Sequence, residues 1–358
     1  MLLDDLKIYS KIDQLGMIKD IQALPHQLAS AWQDGLEKMK GISLYRQVDK
    51  VLICGMGGSA IAGDLVAGYV QSRSKVPVMV NRDYDLPVWA FDGKTLVIFS
   101  SHSGNTEETL SAAKQALSKD LPVMGISTGG KLTERLKNAK KPVIVFEHAG
   151  QPRSAVGFTF GYLLAILQSY GWVPDQSADM AAAVASMIEM GKRYDPTMPV
   201  SQNPAKMLAG QLIGRNVTII GSGVLAPIAR RWKGQINELA KAWCAYDTIP
   251  EACHNSIAGS QFPTDPICSN FVLFLVGELD HFRNKKRTKL VKNLLMVQGF
   301  VTDDVNIKGA TDLEMIWNAV TFGDYTAYYL AISYQVDPTP IEMIEGFKRD
   351  LGEFEEIR

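Results

Sequence analysis

The chain has 358 residues, of which 46% are hydrophobic and 21% are charged, and its formal net charge is −1. This length is sufficient for two domains of ordinary size, and the charge gives no electrostatic basis for binding nucleic acid or an acidic membrane surface. No apolar run is long enough to span a membrane, and the N-terminal MLLDDLKIYSKID lacks the basic-then-apolar order of a signal peptide. We therefore expect a cytoplasmic protein that contacts neither nucleic acid nor membrane.

The cysteines and histidines form no metal-binding or disulfide pattern. The five histidines are scattered, and so are the four cysteines, Cys54, Cys244, Cys253 and Cys268. With no C-x-x-C pair and no cluster of ligands, neither a zinc site nor a disulfide framework is indicated. We expect no metal and no other cofactor.

Strands and helices alternate in the first half of the chain. Residues 1–48 are predicted to be helical, mainly over Met17–Lys40, with Pro25 as an internal break or a second helix start. Strands are predicted at Lys50–Cys54, Val76–Val80, Thr95–Phe99, Leu121–Ser127 and Lys141–Phe146. Helices are predicted at Ile61–Val70, Glu107–Ser118, Lys131–Asn138, Ser154–Tyr170 and Asp179–Arg193. This alternation predicts a parallel, doubly wound sheet.

The second half of the chain begins in the same way. A strand at Asn216–Gly221 leads through a Ser-Gly turn into a helix over Leu225–Ala245. Later elements are predicted at Asn270–Val276, Phe300–Val305 and Met315–Val336. We expect two tandem flavodoxin-like α/β domains, at 49–175 and 176–358, with the N-terminal helices of 1–48 packed on them.

The stretch TLVIFSSHSGNTEETL, residues 95–110, joins a buried strand to a helix through many hydroxyl groups. The free N–H groups of the helix start, together with Ser101, Ser103 and Thr106, would form a cradle for an anion. The alternative is that Ser103 or Thr106 only caps the helix. One cap needs one hydroxyl, which favours phosphate binding. The second half has GELD at 277–280 in the corresponding place, so only the first half keeps the cradle.

Gly55–Ala60 (GMGGSA) follows the first strand and satisfies the dinucleotide-binding pattern G-x-G-x-x-A, with Asp83 available for a ribose. A second anion site after the third strand counts against a nucleotide, because a pyrophosphate on the first turn does not need it. In the favoured interpretation, Gly57 and Gly58 let the backbone approach a sugar phosphate and Ser59 adds another hydroxyl.

Two charged side chains are candidates for chemistry. Arg153 follows the fifth strand, where the carboxyl ends of an open α/β sheet place their ligands, although a surface ion pair is the alternative. Glu238 lies in the helical RRWKGQINELAKAW. A helical glutamate usually faces solvent, but Ile236 and Leu239 beside it indicate that much of this helix is covered.

His254 is the third candidate. Pro250 suits a first helical position, which places His254 in the first or second turn. The positive end of a helix would favour a neutral imidazole that can accept a proton. A lone histidine is more often structural, and on position alone this alternative stays open.

Several of these segments together resemble the bifunctional phosphoglucose/phosphomannose isomerases, members of the sugar isomerase (SIS) superfamily with two such domains. The segments are VLICGMGGSAIAGD, VIFSSHSGNTEET, QPR, INELAKA and PEACHN. They occur in the order found in the family, and the resemblance extends over nearly the whole chain. The resemblance implies two tandem SIS domains and a metal-independent isomerisation of hexose 6-phosphates through a cis-enediol. The substrates would be glucose 6-phosphate, mannose 6-phosphate and fructose 6-phosphate.

The resemblance also implies a role for each matching residue. The phosphate and sugar would be held by Gly57, Gly58, Ser59, Ser101, Ser103 and Thr106. Glu238 would move the proton between C1 and C2, and Arg153 would stabilise the enediolate. His254 would open the sugar ring, reaching in from the neighbouring subunit of a homodimer. Thr326 would help the site accept both C2 epimers.

Three rival interpretations remain. A non-catalytic SIS sugar-phosphate sensor would keep the hydroxyls but has no need for Glu238 and His254 at their spacing. A dehydrogenase would bind a nicotinamide cofactor at the glycine turn. A zinc-dependent mannose phosphate isomerase is disfavoured by the scattered histidines. Within the isomerase interpretation, Glu251 competes with Glu238 as the base, although its closeness to His254 suits it better to orienting that residue or capping the helix.

Overall fold

The computed structural model describes residues 2–263 and 269–352, which form two compact units. The first-sheet unit comprises the described residues of Ala23–Ala178 and Ile341–Arg358. The second-sheet unit comprises those of Met1–Gln22 and Asp179–Pro340. The finer division at 48/49 and 175/176 remains a prediction from sequence.

The strands are β1 Lys50–Cys54, β2 Val78–Asn81, β3 Thr95–Ser101, β4 Val123–Ser127, β5 Val143–Val145, β6 Asn216–Ser222, β7 Cys244–Ile249, β8 Asn270–Gly277 and β9 Val301–Ile307. The α-helices are α1 Leu6–Ile12, α2 Met17–Lys40, α3 Gly57–Val70, α4 Glu107–Ser118, α5 Gly130–Asn138, α6 Val156–Ser169, α7 Ser177–Arg193, α8 Pro204–Leu212, α9 Ala226–Leu239, α10 Phe282–Val297, α11 Asp312–Ser333 and α12 Glu342–Leu351. Short 3-10 helices lie at Leu2–Asp4, Val88–Asp92, Pro152–Ser154, Val200–Gln202, Gly223–Leu225, Glu251–His254 and Ser256–Ser260.

The first-sheet unit contains a five-stranded parallel sheet in the order β2-β1-β3-β4-β5, which confirms the predicted doubly wound architecture. Every residue of β3 is buried, as its continuous apolar, β-branched sequence requires of a central parallel strand. The strand order reverses between β1 and β3, which pair in register from Lys50 opposite Thr95 to Cys54 opposite Phe99. Ligands of open α/β sheets bind at the carboxyl ends of the strands that flank such a reversal.

The second-sheet unit repeats this arrangement with four parallel strands in the order β7-β6-β8-β9. Here β6 and β8 are the central pair, in the places of β1 and β3. The predicted helix over Leu225–Ala245 is wrong at its C-terminal end, because α9 stops at Leu239 and Cys244 already belongs to β7. Lys241 takes a left-handed backbone (φ 53°) that ends the helix, and its Nζ donates to the carbonyls of Glu238 and Leu239.

Helix α2 continues through Pro25 without a break or a second start, contrary to expectation. The packing of its apolar side chains explains why. Ile21, Leu24 and Leu28 lie on one buried face that spans the proline, and tertiary packing of that face outweighs the lost backbone hydrogen bond. Among the described residues no helix is long and apolar enough to cross a membrane.

A buried lysine fastens the N-terminal residues within the second-sheet unit. Lys206, only 1% exposed, donates from Nζ to the carbonyl oxygens of Leu3 (2.7 Å), Pro196 (2.7 Å) and Met198 (2.8 Å). The ring centroids of Tyr9 and Tyr329 lie 5.5 and 5.4 Å from the same ammonium. Three carbonyls and two aromatic faces offset the cost of removing this charge from water.

Candidate functional site

The hydroxyl loop, residues 101–106, joins β3 to α4 in the first-sheet unit. Ser101 is buried, its Oγ accepts from the backbone N–H of Gly104 at 3.1 Å, and it lies 2.9 Å from Oγ1 of Thr106. Thr106 holds the N-cap position of α4, yet its side chain makes no capping bond. Oγ of Ser103, an exposed residue, accepts from the N–H of Asn105 at 3.2 Å. Neither Ser103 nor Thr106 therefore caps α4. The N–H groups in the first turn of this helix can thus donate to another acceptor.

The glycine turn, residues 55–59, joins β1 to α3 beside the hydroxyl loop. Helix α3 also begins without a side-chain cap, at Met56, and Gly57 takes the left-handed φ of 49° that a side chain would disfavour. Oγ of the buried Ser59 accepts from the N–H of His102 at 3.2 Å, which joins the two loops directly. Two uncapped helix N-termini thus lie after the neighbouring strands β1 and β3, where the sheet order reverses.

The hydroxyl loop is braced from the β4 side. A Cβ on Gly104 would lie 1.9 Å from the carbonyl oxygen of Gly129, so only glycine fits there. Oδ1 of Asn105 accepts from the N–H of Lys131 at 3.0 Å. The sequence did not indicate that Asn105 holds the start of α5, because this contact joins loops from different strands.

Arg153 lies in the 3-10 helix that follows β5, and it is 3% exposed. Its Nη1 donates to Oε1 of Gln151 at 3.5 Å. A Cβ on Gly58 would lie 2.5 Å from the carbonyl oxygen of Pro152, so the Arg153 segment packs on the first turn of α3. The close packing of Pro152 on α3 therefore requires a glycine at position 58, independently of any ligand. This end of the sheet is suited to binding an oxyanion. It offers two uncapped helix N-termini, several hydroxyl groups and the segment of the buried Arg153.

The equivalent turns of the second-sheet unit are closed by the chain itself. Oδ2 of Asp280 accepts from Oγ of Ser222, at the end of β6, at 2.9 Å and from the N–H of Gly277, at the end of β8, at 3.0 Å. Burial raises the pKa of this carboxyl above its usual value. An internal carboxylate thus takes the hydrogen bonds that an external anion would need. The GELD sequence predicts only that this turn lacks the hydroxyl cradle.

Glu238 is the penultimate residue of α9 and is half-buried. Lys241 donates to its carbonyl oxygen at 2.8 Å, so the end of this helix is fixed. In the neighbouring Asn237, Oδ1 is buried and accepts no hydrogen bond from the described residues. The neighbouring Ile236 and Leu239 are buried, as predicted.

His254 ends the four-residue 3-10 helix Glu251–His254 and is exposed. The α-helix that we expected to start at Pro250 is absent from this segment, so no long helix acts on the imidazole. Oε1 of Glu251 accepts from Nδ2 of Asn255 at 2.8 Å. The contact described for Glu251 is therefore to Asn255, and it holds this turn together.

Thr326 is fully buried in α11, and its Oγ1 donates to the carbonyl of Phe322 at 2.8 Å. Two residues earlier in the same helix, Asp324 forms a buried ion pair with Arg231 of α9 at 2.5 Å. Burial raises the pKa of Asp324, and Arg231 opposes that shift.

Within residues 2–263 and 269–352, no three histidine, cysteine, aspartate or glutamate side chains are grouped so as to hold a metal ion. Cys54, Cys244 and Cys253 are free thiols, and Cys268 lies outside the described residues.

Two family models match the chain. The SIS domain matches residues 44–158, and the bacterial phospho-glucose isomerase C-terminal SIS domain matches residues 201–351. The chain is 37% identical to the bifunctional phosphoglucose/phosphomannose isomerase of Caldicellulosiruptor bescii over 95% of the chain and 100% of the relative. It is 32% identical to the Aquifex aeolicus protein of the same name, over 84% of the chain and 90% of the relative.

Solved structures share the fold. Tagatose-6-phosphate ketose/aldose isomerase from Escherichia coli matches with a TM-score of 0.68 and 16% identity, covering 91% of this chain and 95% of that chain. A glucose-6-phosphate isomerase-like protein from Thermus thermophilus matches with a TM-score of 0.60 and 17% identity, covering 96% of this chain and 99% of that chain.

Proposed function

Because the chain belongs to the family of bifunctional phosphoglucose/phosphomannose isomerases, we propose that it interconverts fructose 6-phosphate with glucose 6-phosphate and with mannose 6-phosphate. The observation that carries this proposal is the hydroxyl loop. In this loop Thr106 occupies the N-cap position of α4, but its side chain makes no capping hydrogen bond. The N–H groups at the start of the helix can therefore bind an anion. The first-sheet unit has this feature, whereas Asp280 fills its counterpart in the second-sheet unit.

The phosphate is assigned to the hydroxyl loop and the glycine turn. Ser59, Ser101, Ser103 and Thr106 supply hydroxyl donors, and the first turns of α3 and α4 supply N–H groups and their positive dipole ends. Gly57 and Gly58 begin α3, and because they have no side chains the phosphate can approach the backbone there. Binding energy from this non-reacting group positions the sugar carbons for proton transfer.

The proton transfer is assigned to Glu238. Moving a proton between C1 and C2 needs one carboxylate that takes it from one carbon and returns it to the other. A half-buried glutamate at a fixed helix end meets that need. Arg153 is assigned to the negative oxygen of the enediolate, because a guanidinium donates paired, charge-assisted hydrogen bonds. The proposed chemistry uses these side chains and no metal ion.

Ring opening is assigned to His254 of the neighbouring subunit in a homodimer. Ring opening requires a proton to leave the anomeric hydroxyl and another to reach the ring oxygen, which suits an imidazole. His254 is exposed at the end of a short 3-10 helix, so another subunit can reach it. Thr326 is assigned the acceptance of both C2 epimers, and the hydrogen bond from its hydroxyl to the carbonyl of Phe322 fixes the orientation of its side chain.

A non-catalytic sugar-phosphate sensor is the alternative, and the similarity to named isomerases over 95% of the chain does not favour it. The deciding experiment is a coupled assay on the purified protein after dialysis against EDTA, with glucose 6-phosphate and mannose 6-phosphate in turn. We expect fructose 6-phosphate from both. Binding without turnover of either sugar would support the sensor, and turnover only after zinc is restored would mean that a metal takes part.

A further inference from the structure

The side chain of His102 extends from the hydroxyl loop toward His148. His102 stands between Ser101 and Ser103, and its Nε2 lies 2.9 Å from Nδ1 of His148. The two rings meet edge to face, with centroids 5.2 Å apart. This contact joins the loop after β3 to the segment after β5.

The backbone of His102 is fixed on both sides. Its N–H donates to Oγ of Ser59 at 3.2 Å, and its carbonyl accepts from the N–H (3.0 Å) and Oγ1 (2.6 Å) of Thr128. Ser59 lies in the first turn of α3, which follows β1, and Thr128 directly follows β4. These hydrogen bonds fix the backbone of His102, so its side chain can hold a second segment against the hydroxyl loop.

His148 lies in the irregular segment that leads from β5 to the 3-10 helix of Arg153. Residues 146–151 carry no helix or strand, and Glu147 and Ala149 are exposed. Arg153 follows only five residues after His148. The 3-10 helix of Arg153 packs on the first turn of α3, where the missing Cβ of Gly58 admits the carbonyl of Pro152.

Aromatic rings hold the histidine pair in place. Phe146 lies edge to face with His102 at 6.0 Å, and Phe158 of α6 lies 5.6 Å from His148. Burial, with a smaller effect of His148, lowers the pKa of His102 to about 4. His102 is therefore neutral at pH 7, and its neutral ring offers one donor and one acceptor nitrogen, which gives a directional link without adding charge beside a bound phosphate.

We propose that His148 is a positioning residue, which holds the Arg153 segment in register with the hydroxyl loop through its hydrogen bond to His102. This inference rests on the proposed function, in which Arg153 stabilises the enediolate while the hydroxyl loop holds the phosphate. The link fixes the distance between those two groups. Loss of the link displaces the arginine and leaves the phosphate contacts in place, so the reaction slows while phosphate binding persists.

The test compares three variants. His148→Phe keeps a ring against Phe158 and removes the hydrogen bond, whereas His148→Asn keeps a polar atom near the place of Nδ1. His26→Phe, at an exposed position of α2, is the matched control. The measurements are kcat and KM for glucose 6-phosphate, inhibition by inorganic phosphate, and hydrogen exchange of the backbone amides of residues 149–155.

We expect His148→Phe to lower kcat by roughly 10- to 100-fold, the scale of a displacement near 1 Å. Its KM and its inhibition constant for inorganic phosphate should stay within about threefold of the wild type, and its amides at 149–155 should exchange faster. His148→Asn should recover most of the rate, and His26→Phe should match the wild type. Retention of the wild-type kcat in His148→Phe, or equal loss in the Phe and Asn variants, would overturn the proposal.

The exchange measurement separates this proposal from the proposed function. A wild-type protein that isomerises neither sugar would end the isomerase assignment, while the amides of 149–155 would still report on the link. Equal exchange in the wild type and in His148→Phe would overturn the link itself, whatever the activity.

Discussion

Ser101 and Thr106 face each other across the hydroxyl loop, with their side-chain oxygens 2.9 Å apart and neither capping α4. In the loop after β8, the counterpart of β3, Asp280 instead accepts from Ser222 at the end of β6 and from Gly277. The two units thus share a strand order around the central pair and differ in what fills the turn. One turn offers hydroxyls and N–H groups to an external anion, and the other already holds a carboxylate.

The first prediction concerns this loop. Ser101→Ala combined with Thr106→Ala should raise both KM for glucose 6-phosphate and the inhibition constant of inorganic phosphate by at least about tenfold, because each lost charge-assisted hydrogen bond costs about 1.5–3 kcal/mol. The fall in kcat should be smaller, since these groups grip a part of the substrate that does not react. Ser118→Ala, at the exposed end of the same helix, is the control and should change neither constant. An unchanged KM in the double variant would contradict the assignment of the phosphate to this loop.

The second prediction tests the shared site of the proposed dimer. Glu238→Gln and His254→Ala should each be nearly inactive alone. When the two are coexpressed, a mixed dimer regains one site with both native groups, so activity should return to about a quarter of the wild type if subunits pair at random. Mixtures no more active than the separate variants would show that His254 and Glu238 act within one chain.

A third prediction concerns stability. Lys206→Met removes the ammonium donor from the carbonyls of Leu3, Pro196 and Met198 and should lower the free energy of unfolding by about 3 kcal/mol. Lys192→Met removes an exposed pair with Glu189 and should cost less than about 1 kcal/mol. Denaturant unfolding of both variants provides the measurement. Equal stability of the two variants would contradict the anchoring role of Lys206.

The pKa of His102 gives a fourth prediction, on pH. The folded protein takes up this proton only near pH 4, whereas the unfolded chain takes it up near pH 6.5, so the unfolded state binds more protons between these values. Stability from this group is therefore complete above pH 6.5 and falls as the pH drops toward 4, by about 2 kcal/mol for a partly buried ring. His102→Asn should unfold with a correspondingly weaker pH dependence over that window. Identical pH dependence in the two proteins would show that His102 titrates normally when folded.

The architecture was predictable because its signals are local. Continuous apolar, β-branched runs such as Thr95–Phe99 indicate buried strands. Because these runs alternate with helices, the sheet they form is expected to be parallel. Strand β7 was missed because CAYDTI follows a helix without a Gly or Pro signal. The pairing of Cys244 with Val217 of β6 then outweighs helix propensity.

The site was predictable only in part. The hydroxyls were visible as a motif, whereas their bracing was not, because Asn105–Lys131, Gly58–Pro152 and His102–His148 join residues from different loops. The short 3-10 helix at His254 was mistaken for an α-helix because Pro250 suits the start of either. Such contacts depend on the assembled sheet, and no local pattern carries them.

The central claim is that Glu238 is the base, and Glu251 is its competitor. Glu251 bonds Asn255 within an exposed turn, whereas Glu238 is half-buried at the fixed end of α9. Glu238→Gln, nearly isosteric, should leave folding and phosphate binding intact and lower kcat by at least about 100-fold. Glu251→Gln is the matched control and should keep most of the activity.

The most direct measurement is the exchange of the C2 proton of glucose 6-phosphate with solvent deuterium, followed by NMR on both variants. Exchange should stop in Glu238→Gln and continue at the wild-type rate in Glu251→Gln, because only the base carries this proton. Exchange that continues in Glu238→Gln and stops in Glu251→Gln would assign the base to Glu251 and contradict the account.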